Sequence, residues 1–163
     1  MLLDTGPLLT ALALIYYRDF RQEPVPKDIR PNKRPLTEEE GERVLEFLGR
    51  APKRLTTPHV LTEVFKLRDR SELRRHVEHF RRSSLDALKK LNIEERYCPL
   101  NELARESDFV DCVCRYGLTD APLLYVSVQE HCTVLTDDRR LFEFGGRKVR
   151  LMLLDELLAP HDN

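Results

Sequence analysis

The sequence predicts an α/β fold with a mostly parallel central sheet. Short apolar, β-branched runs alternate with longer segments of helical periodicity, and several of these segments begin with a capping residue. This alternation is typical of layered α/β proteins, in which helices connect parallel strands. The 163 residues contain no internal repeat, so we expect a single domain spanning 1–163.

The first third of the chain predicts a strand, a helix, an irregular segment and a second helix. A short apolar strand covers positions 1–3, and a helix follows from Gly6 or Pro7 through "LLTALALIYY". A proline-rich, charged segment around 18–36 predicts an irregular surface excursion. Thr37 and Glu40 then form the spacing of a capping box, and Gly49 is the expected end of that helix.

The rest of the chain continues the alternation. Thr57 caps a helix that starts at Pro58, and a basic helix comes next. The remaining predicted elements are a strand in "NIEERYC", a helix in "NELARESDFVDCVCRYG" ending at Gly117, a buried helix in "TDAPLLYVSVQEH" capped by Thr119 or Asp120, a strand in "CTVLT", a turn with a short helix in "DDRRLFEFGG", a strand in "KVRLMLL" and a helical turn in "DELL".

Composition and charge point to an ordinary globular protein. Apolar residues make up 41% of the chain, and no apolar run is long enough to cross a bilayer. The start lacks a basic leader, so we expect a cytoplasmic protein without a signal peptide. The four cysteines form no CxxC pair and are expected to be reduced: Cys98, Cys112, Cys114 and Cys132.

A local basic face is possible even though the net charge is −1. The stretch "RDRSELRRHVEHFRRSSLDALKKL" has an apolar stripe at helical spacing, with most of its basic residues off that stripe. This pattern fits either a solvated helix face or a surface that contacts RNA phosphates. The candidate RNA contacts are Arg74, Arg75, Arg81, Arg82 and, after the "CTVLT" strand, Arg139. His76 and His79 could share a metal, although no further ligand clusters with them.

Acidic residues fall where strands end. Asp4 follows the first strand, Asp120 begins a buried helix, and Asp137 and Asp138 follow "CTVLT". The carboxyl ends of parallel strands meet at one sheet edge, so these acids can converge. Each of them could equally be a helix N-cap, and Glu63 could be a salt-bridge partner on an exposed helix face. Spacing alone leaves both interpretations open.

Four motifs occur in the order found in one nuclease family. The segments "LLDTGPLL", "TPHVLTEV", "GLTDAPLLYVS" and "VLTDDRRLF" together resemble PIN-domain nucleases, in particular the ribonuclease toxins of bacterial and archaeal toxin–antitoxin pairs. The resemblance spans nearly the whole chain and implies a three-layer fold with helices on both sides of the sheet. It implies an acidic site of Asp4, Glu63, Asp120 and Asp138, with Asp137 as an alternative fourth acid and Thr5 and Thr136 as supporting hydroxyls.

Converging carboxylates would require a counter-charge. Two carboxylates about 5 Å apart repel each other by roughly 3 kcal/mol at an effective dielectric constant near 20. Carboxylate oxygens without thiol or imidazole ligands favour Mg²⁺ or Mn²⁺. With the resemblance, this predicts a metal-dependent endoribonuclease that uses these acids as ligands and catalytic groups. The resemblance also implies a cognate antitoxin and a homodimer.

Three alternatives follow from the same residues. A catalytically silent PIN-like domain would bind RNA or act as a scaffold, although all four matched positions are acidic. An aspartic protease also carries Asp-Thr-Gly, but within an all-β fold that the long apolar helix after Asp4 contradicts. An aspartyl-phosphate phosphatase usually has a second aspartate two residues on, where this chain has Gly6.

Overall fold

The computed structural model describes residues 1–21, 36–66, 76–142 and 149–159. Within them lies a five-stranded sheet of order β3-β2-β1-β4-β5, in which every pair of neighbours is parallel. The predicted α/β class is therefore confirmed. The strands are β1 (Leu2–Leu3), β2 (Arg54–Thr56), β3 (Ile93–Glu95), β4 (Val134–Thr136) and β5 (Leu151–Leu153).

Helices occupy most of the other described residues. They are α1 (Thr5–Ile15), α2 (Glu38–Arg50), α3 (Pro58–Phe65), α4 (Val77–Lys90), α5 (Leu100–Leu103), α6 (Ser107–Tyr116), α7 (Asp120–Gln129) and α8 (Leu154–Leu158), with a π-helical turn over Tyr16–Arg21. None of these helices is long and apolar enough to cross a membrane.

The helices form two groups around the sheet, which gives a three-layer α/β arrangement. Helix α1 packs against α2, α3 and α4, and α2 also contacts α8. Helix α7 packs against α5, α6 and β4. Every residue of α1 from Pro7 to Ile15 is buried, as expected for a helix that is apolar on all sides.

The strand order reverses its direction at β1. The chain moves outward from β1 through β2 to β3, and then returns to the other side of β1 for β4 and β5. In open α/β sheets, ligands bind at the carboxyl ends of the strands where the order reverses in this way. Leu3 pairs with Leu135, so Asp4 and Thr136 leave this edge side by side.

Several local predictions are confirmed and others are wrong. The Thr37–Glu40 capping box is present, and Thr57 caps α3 with Pro58 in its first turn. Gly49 does not end α2, which continues to Arg50. Nothing lies within 4 Å of the position of a Cβ at Gly49, so no close contact requires glycine there.

Two further helix boundaries differ from expectation. Helix α1 starts at Thr5, and residues 18–21 belong to the π-helical turn rather than to an irregular segment. Residues 22–35 lie outside the described part. The single helix predicted before Gly117 is in fact α5 and α6. Leu103 and Cys112 are both buried, and nine residues apart they would lie on opposite sides of one continuous helix.

Candidate functional site

Asp4 joins the ends of β1 and β4. It is the N-cap of α1, and its Oδ1 accepts the backbone N–H of Thr5 at 2.6 Å. Its Oδ2 accepts the hydroxyl of Thr136 at 2.5 Å, and the same hydroxyl oxygen accepts the N–H of Asp138 at 2.9 Å. The Asp4 side chain is therefore fixed by both neighbouring strand ends, and the residue is only 7% exposed.

Burial makes the Asp4 carboxylate costly to ionise. Its pKa is raised from 3.8 to about 6, mainly by desolvation and further by the negative charges of Glu63 and Asp138. The hydrogen bonds from Thr136 and Thr5 oppose this rise because they stabilise the charged form. A helix cap alone would account for the bond from Thr5, but not for the bond from Thr136 or for the charges of Glu63 and Asp138 that raise the pKa of Asp4.

Glu63 is held by hydroxyl groups from two other elements. Thr5, at the start of α1, donates to Oε2 at 2.9 Å, and Thr119, just before α7, donates to Oε1 at 2.6 Å. Arg81 of α4 donates to the carbonyl of Phe65 at 2.8 Å and so holds the end of α3, the helix that carries Glu63. The carboxylate of Glu63 is thereby oriented between the first residues of α1 and α7.

Asp120 differs from the other acids of the site because none of the described residues donates a hydrogen bond to it. It is the first residue of α7, and no hydrogen bond to its carboxylate comes from the described residues. Its pKa is raised from 3.8 to about 7, first by burial and then by the charges of Asp4, Asp138 and Glu63. The predicted capping role is wrong for Asp120, and Thr119 makes no side-chain cap either. Within the described residues, the charge of the Asp120 carboxylate is therefore not compensated by hydrogen bonds.

Asp138 already has a cationic partner. Arg140 Nε lies 3.0 and 2.9 Å from its two carboxylate oxygens, and Arg140 Nη2 also donates to Oδ2. This ion pair holds the pKa of Asp138 below its usual value. Asp137 occupies a different place, against the start of α1, where a Cβ on Gly6 would lie 2.7 Å from Asp137 Oδ2. Asp138 is a candidate for the fourth acid whose charge raises the pKa of both Asp4 and Asp120.

The predicted basic residues differ from one another in the contacts that they make. Arg82 and Arg139 are exposed, Arg139 on the loop that follows β4 beside the acids. Arg81 is engaged with the end of α3, and Arg74 and Arg75 lie outside the described residues. On the same helix as Arg82, Lys90 lies 3.7 Å from Asp19 and over the ring of Phe20. Among the described residues, the exposed candidates for phosphate contact are Arg81, Arg82 and Arg139, and Arg81 already donates to the carbonyl of Phe65.

The oxygen-rich character of the site is suited to a hard cation. In the described residues, no three His, Cys, Asp or Glu side chains are grouped closely enough to form a ready metal site. Of the two histidines His76 and His79, His79 packs its ring against Tyr16. Mg²⁺ commonly uses only one or two protein carboxylates and completes its coordination with water. The donor chemistry at Asp120 and its neighbours fits such an ion.

Two residues of the site were missed by sequence analysis. Thr119 was considered only as a helix cap, and Arg140 was not singled out. The only available signal was position: Thr119 immediately precedes a candidate acid, and Arg140 follows another by two residues. Neither signal identifies the partner, which for Thr119 lies 56 residues away.

Removing the Thr119 hydroxyl should misorient Glu63 without unfolding the protein. We expect Thr119→Val to lower kcat/KM for the reaction proposed below by about three- to tenfold, because one of the two hydroxyl donors to Glu63 is lost. The melting temperature should hardly change, since the bond is exposed. Thr119→Ser keeps the hydroxyl and should retain activity. Equal activity of the valine and serine variants would contradict a positioning role.

Comparisons with known proteins do not assign a family. No protein-family model matches the chain, and no curated protein matches it significantly. The assignment of function therefore depends on the site and on the motifs of the sequence.

Proposed function

We propose that the protein is a PIN-like endoribonuclease that hydrolyses RNA phosphodiester bonds with the help of Mg²⁺ or Mn²⁺. The observation that carries the proposal is the carboxylate of Asp120, which receives no hydrogen bond from the described residues while the charges of Asp4, Asp138 and Glu63 add to the rise of its pKa. A site that keeps such a carboxylate is well suited to a divalent cation. The topology supports the proposal, since Asp4 and Asp138 follow β1 and β4, the two strands that flank the switch point of the sheet.

Asp120, with Asp4 or Asp138, would hold the ion, and water would complete its coordination. When bound, the ion supplies Lewis-acid chemistry that activates a water nucleophile and neutralises charge developing on the phosphate. The proposed ligand set contains only oxygen donors, which agrees with Mg²⁺ or Mn²⁺ and disfavours a structural zinc site.

The protein's own side chains would supply the other functions that RNA cleavage requires. Without a cation, the carboxyl of Asp120 is about half protonated at neutral pH, because its pKa is about 7. Positive charge beside it favours release of that proton. Glu63 is oriented by the hydroxyls of Thr5 and Thr119, which fix its carboxylate between the starts of α1 and α7. Arg139 is exposed on the loop that follows β4, where its guanidinium can contact RNA phosphates.

A cognate antitoxin and a homodimer belong to the same proposal and rest on the resemblance to PIN-domain toxins alone. The competing function, a silent RNA-binding or scaffold domain, predicts RNA binding without cleavage. The all-parallel α/β sheet argues against an aspartic protease, whose site requires an all-β fold.

The test is cleavage of end-labelled single-stranded RNA of mixed sequence by the purified full chain. We expect products with Mg²⁺ or Mn²⁺, none with EDTA, and at least about a hundredfold loss of rate in Asp120→Asn. Asp86→Asn is a matched control, because Asp86 is an exposed aspartate of α4 outside the site. Its rate should equal that of the wild type.

The ends of the products identify the chemistry. Direct attack by water that releases the 3′-oxygen leaves a 5′-phosphate and a 3′-hydroxyl, which are ends that attack by the 2′-hydroxyl cannot produce. A 2′,3′-cyclic phosphate would instead show attack by the RNA 2′-hydroxyl, as in a metal-independent contaminant. Cleavage that survives both EDTA and Asp120→Asn would refute the proposal, and RNA binding without cleavage would favour the silent domain.

A further inference from the structure

Arg140 makes a direct cationic contact with an acid of the candidate site. Its Nε lies 3.0 and 2.9 Å from the two carboxylate oxygens of Asp138, and its Nη2 donates to the same group. Its charge also acts on Asp120, where it partly opposes the repulsion from the other acids. The guanidinium thus supplies positive charge at the place where the proposed function requires a divalent ion.

The ion pair is built so that it can open. The Arg140 side chain is 72% exposed, whereas the Asp138 side chain is 26% exposed. The guanidinium can therefore leave without disturbing the packed core. The turn itself depends on a separate contact, the backbone N–H of Arg140 to Asp138 Oδ1 at 2.8 Å, which any residue at position 140 except proline can make.

Once released from Asp138, the guanidinium of Arg140 could bind a phosphate of RNA that approaches the loop after β4. Its planar donors match the oxygens of a phosphate as well as those of a carboxylate. The neighbouring Arg139 is exposed on the same loop, so two guanidinium groups would face an approaching RNA backbone. Exchange of Arg140 from Asp138 to phosphate would keep the charge at the site balanced as the ion and the RNA bind.

We infer that Arg140 is an exchangeable internal counter-ion, which occupies Asp138 in the absence of a divalent ion and moves to an RNA phosphate when the ion binds. The inference rests on the proposed function, since it assumes that the acids hold an ion. It goes further by assigning Arg140 a positioning role that combines competition with the metal and contact with the substrate.

The test compares Arg140→Gln with Arg139→Gln and the wild type. Binding of Mn²⁺ alone is measured by electron paramagnetic resonance of the free ion, in the absence of RNA. We expect Arg140→Gln to bind Mn²⁺ about three- to tenfold more tightly, a modest change because an exposed ion pair contributes little. Arg139→Gln removes the same charge one residue away, from a side chain outside this ion pair, and should leave the Mn²⁺ affinity close to that of the wild type.

The kinetic test uses saturating Mn²⁺ and the same RNA. Arg140→Gln should raise KM by about three- to tenfold with little change in kcat, because a phosphate contact is lost and no reacting group is altered. Circular dichroism melting checks that both variants are folded. A tighter metal site together with weaker RNA binding is a combination that a merely structural role would not produce.

Each outcome decides between the inference and the proposed function. Equal Mn²⁺ affinities in wild type and Arg140→Gln, with metal-dependent cleavage intact, would overturn the exchange and leave the nuclease proposal standing. Tighter Mn²⁺ binding with an unchanged KM would overturn the move to phosphate. Absence of Mn²⁺ binding in all three proteins would overturn both.

Discussion

Replacing Asp120 by asparagine is expected to abolish RNA cleavage while making the fold more stable above pH 7. The carboxylate is a proposed metal ligand, so its loss should lower the cleavage rate at least about a hundredfold. The same charge destabilises the folded chain, since its pKa is raised to about 7 by burial and by Asp4, Asp138 and Glu63. Asparagine removes the charge and keeps nearly the same shape. Activity and stability should therefore change in opposite directions.

The sign of the pH dependence follows from the raised pKa. Below about pH 4, the Asp120 carboxyl is protonated in both the folded and the unfolded chain and imposes no penalty. Between about pH 4 and about pH 7 the unfolded chain has already lost this proton while the folded chain still binds it, so the stability of the wild type falls as pH rises. Above about pH 7 the penalty is complete. The advantage of Asp120→Asn should thus be absent at pH 4 and full at pH 8.

Thermal melting at several pH values measures this difference. After discounting for solvent screening at a partly exposed site, we expect a gain of about 1–2 kcal/mol at pH 8, or about 3–6 °C in melting temperature. Added Mg²⁺ should raise the melting temperature of the wild type and have much less effect on the variant. Asp86→Asn should change neither quantity. A melting temperature of Asp120→Asn equal to or below that of the wild type at pH 8 would contradict the proposed charge crowding.

Local sequence rules predicted the features that depend on neighbouring residues. The capping box of Thr37 and Glu40 and the cap of α3 by Thr57 were correct because the bonding groups lie within three residues of each other. Gly117 ends α6 as expected, with a φ of 95° that favours glycine. Alternation of strands and helices was enough to predict the parallel sheet, and with it the proximity of Asp4 to the end of β4.

Sequence rules could not predict hydrogen-bond and ion-pair partners that depend on tertiary packing. Thr119 and a following helix are typical of a cap, yet its hydroxyl bonds to Glu63, which lies on another helix. Arg139 and Arg140 are equivalent by composition, and only the turn after β4 determines that Arg140 contacts Asp138. In both cases, a polar group has several possible partners, and the fold decides among them.

Replacing Thr136 by valine should destabilise the protein and shift its activity toward higher pH. Thr136 is fully buried, and its hydroxyl donates to Asp4 while accepting the N–H of Asp138. Valine has nearly the same shape and suits a strand, so β4 itself should be preserved. The variant loses a hydrogen bond to a charged group and leaves a buried carboxylate oxygen without that donor. We expect a loss of about 1.5–3 kcal/mol in the free energy of unfolding.

The pH shift distinguishes an active role of Asp4 from a purely structural one. The bond from Thr136 lowers the pKa of Asp4, so its removal must raise that pKa above about 6. If Asp4 acts as a carboxylate, a larger fraction is then protonated at neutral pH, and the acidic limb of the pH–rate profile moves to higher pH. Thr136→Ser keeps the hydroxyl and should retain the wild-type profile, even though the lost methyl group costs about 1 kcal/mol of stability. A profile that does not move in Thr136→Val, despite a lower melting temperature, would show that Thr136 and Asp4 stabilise the sheet edge without taking part in the reaction.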